Sequence, residues 1–454
     1  MERNKFYKVV KKLIIPLFTG SYLIGEEESN SRDSEVAYGK QNTLLIKASK
    51  NDDYRFIIKR GRAFGQFETN LLKFILKEIN DISELNLQDQ NYEQFLEYKA
   101  IEKAICESIS SSTAQTMLGL ITELETWSNR TYEGKKPTFG VIINQTELEE
   151  GEKNLHFTDI LSKDFVALLS DGKSSYLEFD KNGYLIGYLS LSKVRNYVTT
   201  TPNEFEYIAR YCNDKRIGLA LTESGDLLVF RNRELLFAKR KGSWNAYSHE
   251  EVVQLLAYKN SHSQKDIRKA IYCTALDCSF EYNGGILIYL NKDMADKALA
   301  TIDAKDILIE EYYEKKKKLE LEEAGKLYNI STATQTKKKY DFSYDEFLNN
   351  NKCIKTKCLR KIIGGRKFQE LGRKMREELV GMDGATVIDF DGSIIAVGAI
   401  LKIEAGSNEG GRLAAATNLA KYGVSIKISQ DGQMQGFCPD KKGHNGIKAL
   451  FTVK

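Results

Sequence analysis

Two short segments of this chain carry residue types that could bind an anion and a metal. The first is Gly410-Gly411-Arg412, where the polar, glycine-rich run Glu404–Gly411 enters a helical pattern over Arg412–Tyr422. The unpaired amides and positive dipole end of a helix attract phosphate, and glycines let a ligand approach the backbone closely. Arg412 adds a permanent cation with a bidentate fork. The second is Met382-Asp383-Gly384-Ala385, where Asp383 stands just ahead of an apolar run and offers a carboxylate suited to a metal. Each segment also has a structural reading, in which the glycines permit close packing and Arg412 pairs with a carboxylate.

The elements that must position these residues are legible around them. Gln369–Val380 reads as a helix ending at Gly381 and Thr386–Asp389 as a strand. Phe390-Asp391-Gly392-Ser393 then turns the chain into a returning strand, Ile394–Ile403. The helix over Arg412–Tyr422 is closed by Gly423. Two further strands, Val424–Ser429 and Met434–Phe437, flank the turn Gln430-Asp431-Gly432-Gln433. Upstream, His249–Tyr258 and Gln264–Cys278 read as helices, and Asn283-Gly284-Gly285 leads into the apolar strand Ile286–Leu290. Asp303–Tyr328 is densely charged with a thin apolar stripe, which predicts a solvated helix. Residues 300–360 are accordingly expected as an insertion over the domain, outside its core. The predicted class is α/β (α+β overall), with a mixed-sheet domain over 248–454.

The rest of the chain divides by texture. Residues 1–134 read as mainly helical, with a strand at Tyr54–Lys59 and helical periodicity over Leu71–Ile79 and Tyr92–Trp127. Residues 135–247 read as β-rich. The expected strands are Phe139–Asn144, Phe165–Leu169, Ser175–Phe179, Tyr184–Leu191, Ile217–Leu221, Leu227–Phe230 and Leu235–Lys239, with a helix over Phe205–Cys212. At 454 residues more than one core is expected, and 42% hydrophobic against 29% charged content excludes extended disorder. A net charge of +4 neither demands nor excludes a nucleic-acid partner. No apolar run approaches the ~18 residues of a membrane helix, and no signal-peptide cleavage site follows Leu13–Phe18, so a cytoplasmic protein is expected.

Other chemistries are weaker. The seven cysteines form no disulfide framework. Cys273/Cys278 and Cys353/Cys358 share a spacing that departs from zinc-ligand patterns, which favours buried thiols. His156, His249, His262 and His444 show no metal-ligand spacing, and His249 reads as a helix-start residue. Arg231, Arg233, Lys239, Arg240 and Lys241, interleaved with Tyr211, Phe237 and Trp244, could form a nucleic-acid surface or a solvated strand face. No phosphate loop, nucleophile elbow or His-Glu-x-x-His occurs.

From about Ile267 to Gly436 the chain resembles the diadenylate cyclase family, the nucleotidyltransferase domain of the DNA-integrity scanning protein. The family's helix leading into a Gly-started apolar strand is matched over Arg268–Leu290, and its Asp-Gly-Ala by Asp383-Gly384-Ala385. Its Gly-Thr-Arg-His-Arg-Ala-Ala helix start aligns with Gly410-Gly411-Arg412-Leu413-Ala414-Ala415-Ala416, and its Ser-Glu-Glu strand end with Ser429-Gln430-Asp431. The resemblance implies a face-to-face homodimer that joins two ATP molecules into cyclic di-AMP with Mg²⁺ or Mn²⁺. It implies that Asp383 binds metal and activates the 3′-hydroxyl, that Gly384 and Ala385 face the adenosine, and that Arg412 holds phosphate. Ser429 and Asp431 would support the ribose or the metal.

The departures point to a different task. Gly411 replaces Thr, Leu413 replaces His and Ala414 replaces the second Arg of that helix start. Removing one of two cations from a developing pyrophosphate charge costs several kcal/mol in the transition state. This combination resembles the degenerate, cyclase-derived sensor domains (the DACNV type) of bacterial nucleotide signalling and anti-phage systems, to which the run Arg216–Trp244 also looks similar. The expectation is a nucleotide-binding sensor, with an active diadenylate cyclase and a nucleic-acid-binding middle hairpin as alternatives.

Overall fold

The computed structural model describes residues 2–85, 90–131, 134–195, 198–258, 263–327, 354–401, 410–441, 443 and 446–454. The chain divides into two compact units, Met1–Glu251 with Val453–Lys454, and Val252–Thr452.

The first unit holds two sheets. Strands β1 (Tyr22–Glu28), β2 (Val36–Tyr38), β3 (Thr43–Ile46) and β4 (Tyr54–Lys59) form an antiparallel sheet in the order β1-β4-β3-β2. Only β4 shows in the sequence pattern. β1 is exposed along nearly its whole length, so no alternation marks it, and Glu26-Glu27-Glu28 reads as a loop. The second sheet joins β5 (Phe139–Asn144), β6 (Ser175–Phe179), β7 (Leu185–Ser190), β8 (Arg216–Leu221), β9 (Leu227–Arg231), β10 (Glu234–Arg240) and β11 (Ser243–Ala246). Its order is β11-β10-β9-β8-β5-β6-β7, with β5 and β6 parallel. Asn232 and Arg233, both with positive φ, make the two-residue turn between β9 and β10.

Helices Gln66–Glu84, Gln90–Ile109 and Ala114–Ser128 supply the apolar faces that both sheets need. One continuous core runs from Phe6 through Ile75, Ile105 and Leu120 to Val141, Val229 and Phe237. The helical segment 1–134 and the β-rich segment 135–247 therefore share a core. The single helical run expected over Tyr92–Trp127 breaks at Ser110–Thr113. The strand expected over Phe165–Leu169 is instead a 3₁₀ turn, Asp164–Leu168. It buries only Val166 and leaves Phe165 and Leu168 exposed, so no second face is available for sheet pairing.

The second unit is built on a six-stranded mixed sheet of β12 (Gly285–Leu290), β13 (Ala385–Ile388), β14 (Ile394–Ala399), β15 (Gly423–Ile428), β16 (Met434–Pro439) and β17 (Ile447–Val453). The order is β14-β13-β12-β15-β16-β17, and β12 and β13 are parallel. Buried on both faces, β12, β13 and β14 read as continuous apolar runs. Helices Lys265–Phe280 and Arg373–Gly381 pack on one face, clamped together by Arg373, which donates to both carboxylate oxygens of Asp277 at 2.7 Å. On the other face Ile286, Ile288, Val387 and Ala396 pack with Ala416 and Leu419 of helix Gly411–Leu419.

Helices and strands together give the α/β class expected. The insertion expected over 300–360 begins inside the core. Ile302 and Ile307 bridge to Leu401 and Ala396 along the free edge of β14, and Tyr313 is buried with them. Helix Glu310–Leu327 is anchored at the buried Tyr313 and by Lys316, which donates to the Ala300 carbonyl at 3.1 Å, while Glu311, Glu314, Lys318 and Glu322 are exposed. No helix among the described residues is long and apolar enough to cross a membrane.

Candidate functional site

The register of the second sheet gathers the sequence-predicted residues at one edge. Ile286 pairs with Ala385, Ala385 with Ala399, and Gly285 with Ile428. Gly284, Asp383-Gly384 and Ser429 consequently stand side by side, just outside the ends of three adjacent strands. Helix Gly411–Leu419 packs on β12 and β15. It starts at Gly410, whose φ of 97° and ψ of 152° turn the incoming chain sharply. Leu413 and Ala414 donate their amides to the Gly410 carbonyl, both at 3.2 Å. The amides of Gly411 and Arg412 precede any carbonyl the helix could offer them.

Arg412 extends over Gly284. A methyl group built on Gly284 would lie 2.6 Å from Nη1 and 2.8 Å from the guanidinium carbon, so the glycine makes the space in which the cation lies. Among the described residues Arg412 has no ion-pair partner. The structural reading in which it pairs with a carboxylate finds no support among them.

Asp383 is exposed at the mouth of β13. Behind it, Gly384 has φ of 109°, and a methyl there would meet the Gly398 carbonyl carbon at 2.5 Å. A methyl on Gly398, at φ of 58°, would in turn lie 3.0 Å from the Asp383 carbonyl oxygen. This contact between two glycines explains why the β13–β14 register shifts between Ala385 and Val387. Gly384→Ala combines a strained φ with a backbone clash and is expected to cost about 2 kcal/mol or more. Thermal unfolding of the full chain checks this, and an unchanged midpoint would contradict it. Ala385 is fully buried, its methyl in the core with Ile286 and Ala399, so it shapes the site through its backbone.

Ser429 closes the β15–β16 turn, donating its amide to the Gln433 carbonyl at 2.9 Å while its own carbonyl accepts from Gly432. Asp431 is exposed at the tip, where Oδ1 accepts the Gln433 amide at 3.2 Å. It lies beyond β15 and Asp383 before β13, so the two carboxylates are separated by β12, a span of roughly 10 Å at ordinary strand spacing. Among the described residues no three His, Cys, Asp or Glu side chains come together as a metal site.

The sequence reading missed Lys355 and Asp306, which it assigned to the insertion. Helix Ile354–Ile363 lies along 305–307, with Thr356 Oγ1 donating to the Lys305 carbonyl at 2.7 Å and Arg360 Nη2 to the Ile307 carbonyl at 2.7 Å. Lys355 Nζ donates to Asp306 Oδ1 and to the Gly398 carbonyl, each at 2.8 Å. It is thereby fixed beside the Gly384–Gly398 contact. At the opposite end of β13, Asp389 is buried and accepts from the Tyr312 hydroxyl. Burial pushes its carboxyl above the usual range despite that bond, and burial followed by Asp389 pushes the Tyr312 phenol up as well.

Two of the five cations of the basic middle hairpin, Lys239 and Arg240, are paired with carboxylates within the first unit, while Arg233 and Lys241 are exposed. Lys239 donates to Glu102 at 2.8 Å and to Glu125, and lies 4.7 Å from the Tyr98 ring. Burial works against its charge, but Glu102, Glu125 and Tyr98 outweigh it and push the ammonium well up. Arg240 is buried against Asp226 at 3.2 Å, and Phe237 and Trp244 belong to the core. Arg231, Arg233 and Lys241 of the proposed set lie outside the core.

Cys273 and Cys278 are buried, and burial pushes both thiols up. Cys353, His262 and His444 fall outside the described residues, as do residues 402–409. His156 caps helix Phe157–Leu161, and His249 is buried with Nε2 2.6 Å from the Leu235 carbonyl oxygen. No family model, curated protein or solved structure matches the chain.

Proposed function

We propose that the second unit is a nucleotide-binding sensor domain on a diadenylate-cyclase-like scaffold, acting in the cytoplasm in bacterial nucleotide second-messenger or anti-phage signalling, with the first unit coupling it to a response. The observation that carries this reading is the placement of Arg412 over Gly284, beside Asp383 and Ser429. A permanent cation, two helix amides without a partner among the described residues and an exposed carboxylate at one sheet edge suit a phosphorylated ligand. Such a ligand would be ATP, cyclic di-AMP or a related nucleotide.

The residues fit a divalent cation only as a partner of that ligand. Mg²⁺ is commonly held by one or two carboxylates plus substrate phosphates, and Asp383 would supply the carboxylate. When bound, Mg²⁺ or Mn²⁺ would neutralise phosphate charge. Binding of the ligand falls to Arg412 and the Gly411 and Arg412 amides.

Holding a nucleotide needs fewer groups than joining two. Leu413 and Ala414 offer no donors where a cyclase-like helix start has His and Arg, so charge developing on a leaving pyrophosphate would lack a second cation from this helix. Incubated with ATP and Mg²⁺ or Mn²⁺, the pure protein is expected to leave ATP unconverted by mass spectrometry. Cyclic di-AMP that appears with wild type and disappears with Asp383→Asn would replace the sensor reading with that of an active diadenylate cyclase.

A further inference from the structure

Lys355 is separated from Asp306 by 49 positions and belongs to a helix outside both sequence motifs. Its ammonium reaches the same sheet edge as Arg412. Two of its three N–H donors are used, by Asp306 Oδ1 and the Gly398 carbonyl. Its side chain is 35% exposed, whereas Asp306 is 2% exposed and also accepts the Ile400 amide at 3.4 Å. The buried carboxylate therefore aims the ammonium, and among the described residues no group takes its third donor. Gly398 leaves room: a methyl there would come within 3.4 Å of Nζ.

Arg412 lies over Gly284, ahead of β12, and Lys355 over Gly398, near the end of β14. Strand β13, headed by Asp383, runs between them. Two strand spacings separate the positions, roughly 10 Å. One phosphoryl group cannot bond to both cations across that distance.

We infer that Lys355 is a second anion-binding residue of the candidate site, facing Arg412 across Asp383, and that the site selects nucleotides carrying more than one phosphoryl group. This inference rests on the nucleotide reading and narrows its ligand class. Asp306 is a positioning residue: its carboxylate holds the ammonium and touches no ligand.

The test is calorimetry of the full chain with AMP, ATP and cyclic di-AMP, using wild type, Arg412→Ala, Lys355→Gln and Lys355→Arg. Lys355→Gln is expected to weaken ATP and cyclic di-AMP about ten-fold, or about 1.4 kcal/mol, while AMP changes less than about two-fold. Lys355→Arg should keep most of the affinity. Because Lys355→Gln leaves Asp306 buried without its cation, Asp306→Asn/Lys355→Gln serves as the variant in which that ion pair is removed whole; it should show the same loss with the unfolding midpoint retained. Wild-type binding that responds to Arg412→Ala but not to either Lys355→Gln variant would overturn the role of Lys355 and leave the nucleotide reading standing. Equal losses for AMP and ATP would overturn the selectivity. A wild type that binds none of the three would remove the nucleotide reading, and this inference with it.

Discussion

Arg412→Ala is expected to lower nucleotide affinity by about 100-fold. Truncating one partner of a hydrogen-bonded charge contact costs about 2–5 kcal/mol, and Arg412 is the side-chain cation that the helix start itself supplies. The loss should fall on binding alone, because Arg412 has no ion-pair partner among the described residues and lies outside the core of the second unit. Its removal leaves no buried carboxylate uncompensated. Calorimetry with ATP, run beside thermal unfolding, checks both halves. A weakened ligand with an unchanged midpoint is the expected pair; a lowered midpoint with unchanged affinity would make Arg412 a structural residue.

The second large effect lies in the first unit. Glu68 is fully buried at the start of helix Gln66–Glu84, where it accepts from both terminal nitrogens of the Arg60 guanidinium, from Arg62 at 3.2 Å and from the Gly65 amide at 2.8 Å. Arg60 and Arg62 are themselves only 3% and 4% exposed. Glu68→Ala would leave two guanidinium groups buried without their anion, and breaking a buried pair this way costs about 3–5 kcal/mol. Chemical denaturation of the first unit should show it, and a loss under about 1 kcal/mol would contradict it. The same cluster sets a pH dependence. Burial pushes the Glu68 carboxyl up, but Arg60, Arg62 and the Gly65 amide outweigh burial and hold it below the usual carboxylate range. A folded value below the unfolded one means stability that is present above about pH 4.3 and is lost as pH falls through the lowered folded value. Glu68→Ala should flatten that part of the acid-unfolding profile.

These two predictions sit on features of unequal legibility. The apolar runs of β12, β13 and β14 announce themselves because a strand buried on both faces needs no alternation, and the glycines at 384 and 410 mark places where the chain takes a positive φ. Arg412 and Asp383 were legible for the same reason: both lie at punctuation between regular elements. Lys355 and Asp306 were not, since a cation on a helical face reads as solvated until its carboxylate is seen. The same blindness ran the other way at Lys239, whose partners Glu102 and Glu125 lie 137 and 114 positions away. A basic hairpin and a neutralised core network look alike in one dimension. Strands β1 to β3 do not show in the sequence because β1 is exposed along nearly its whole length and β2 and β3 span only three and four residues.

The most direct test of the nucleotide site is titration of the wild-type chain with ATP and with cyclic di-AMP by calorimetry, in the presence and absence of Mg²⁺. Saturable binding of at least one of them, weakened by Arg412→Ala, is the predicted result. An absence of heat with both nucleotides, from protein that unfolds cooperatively, would contradict it.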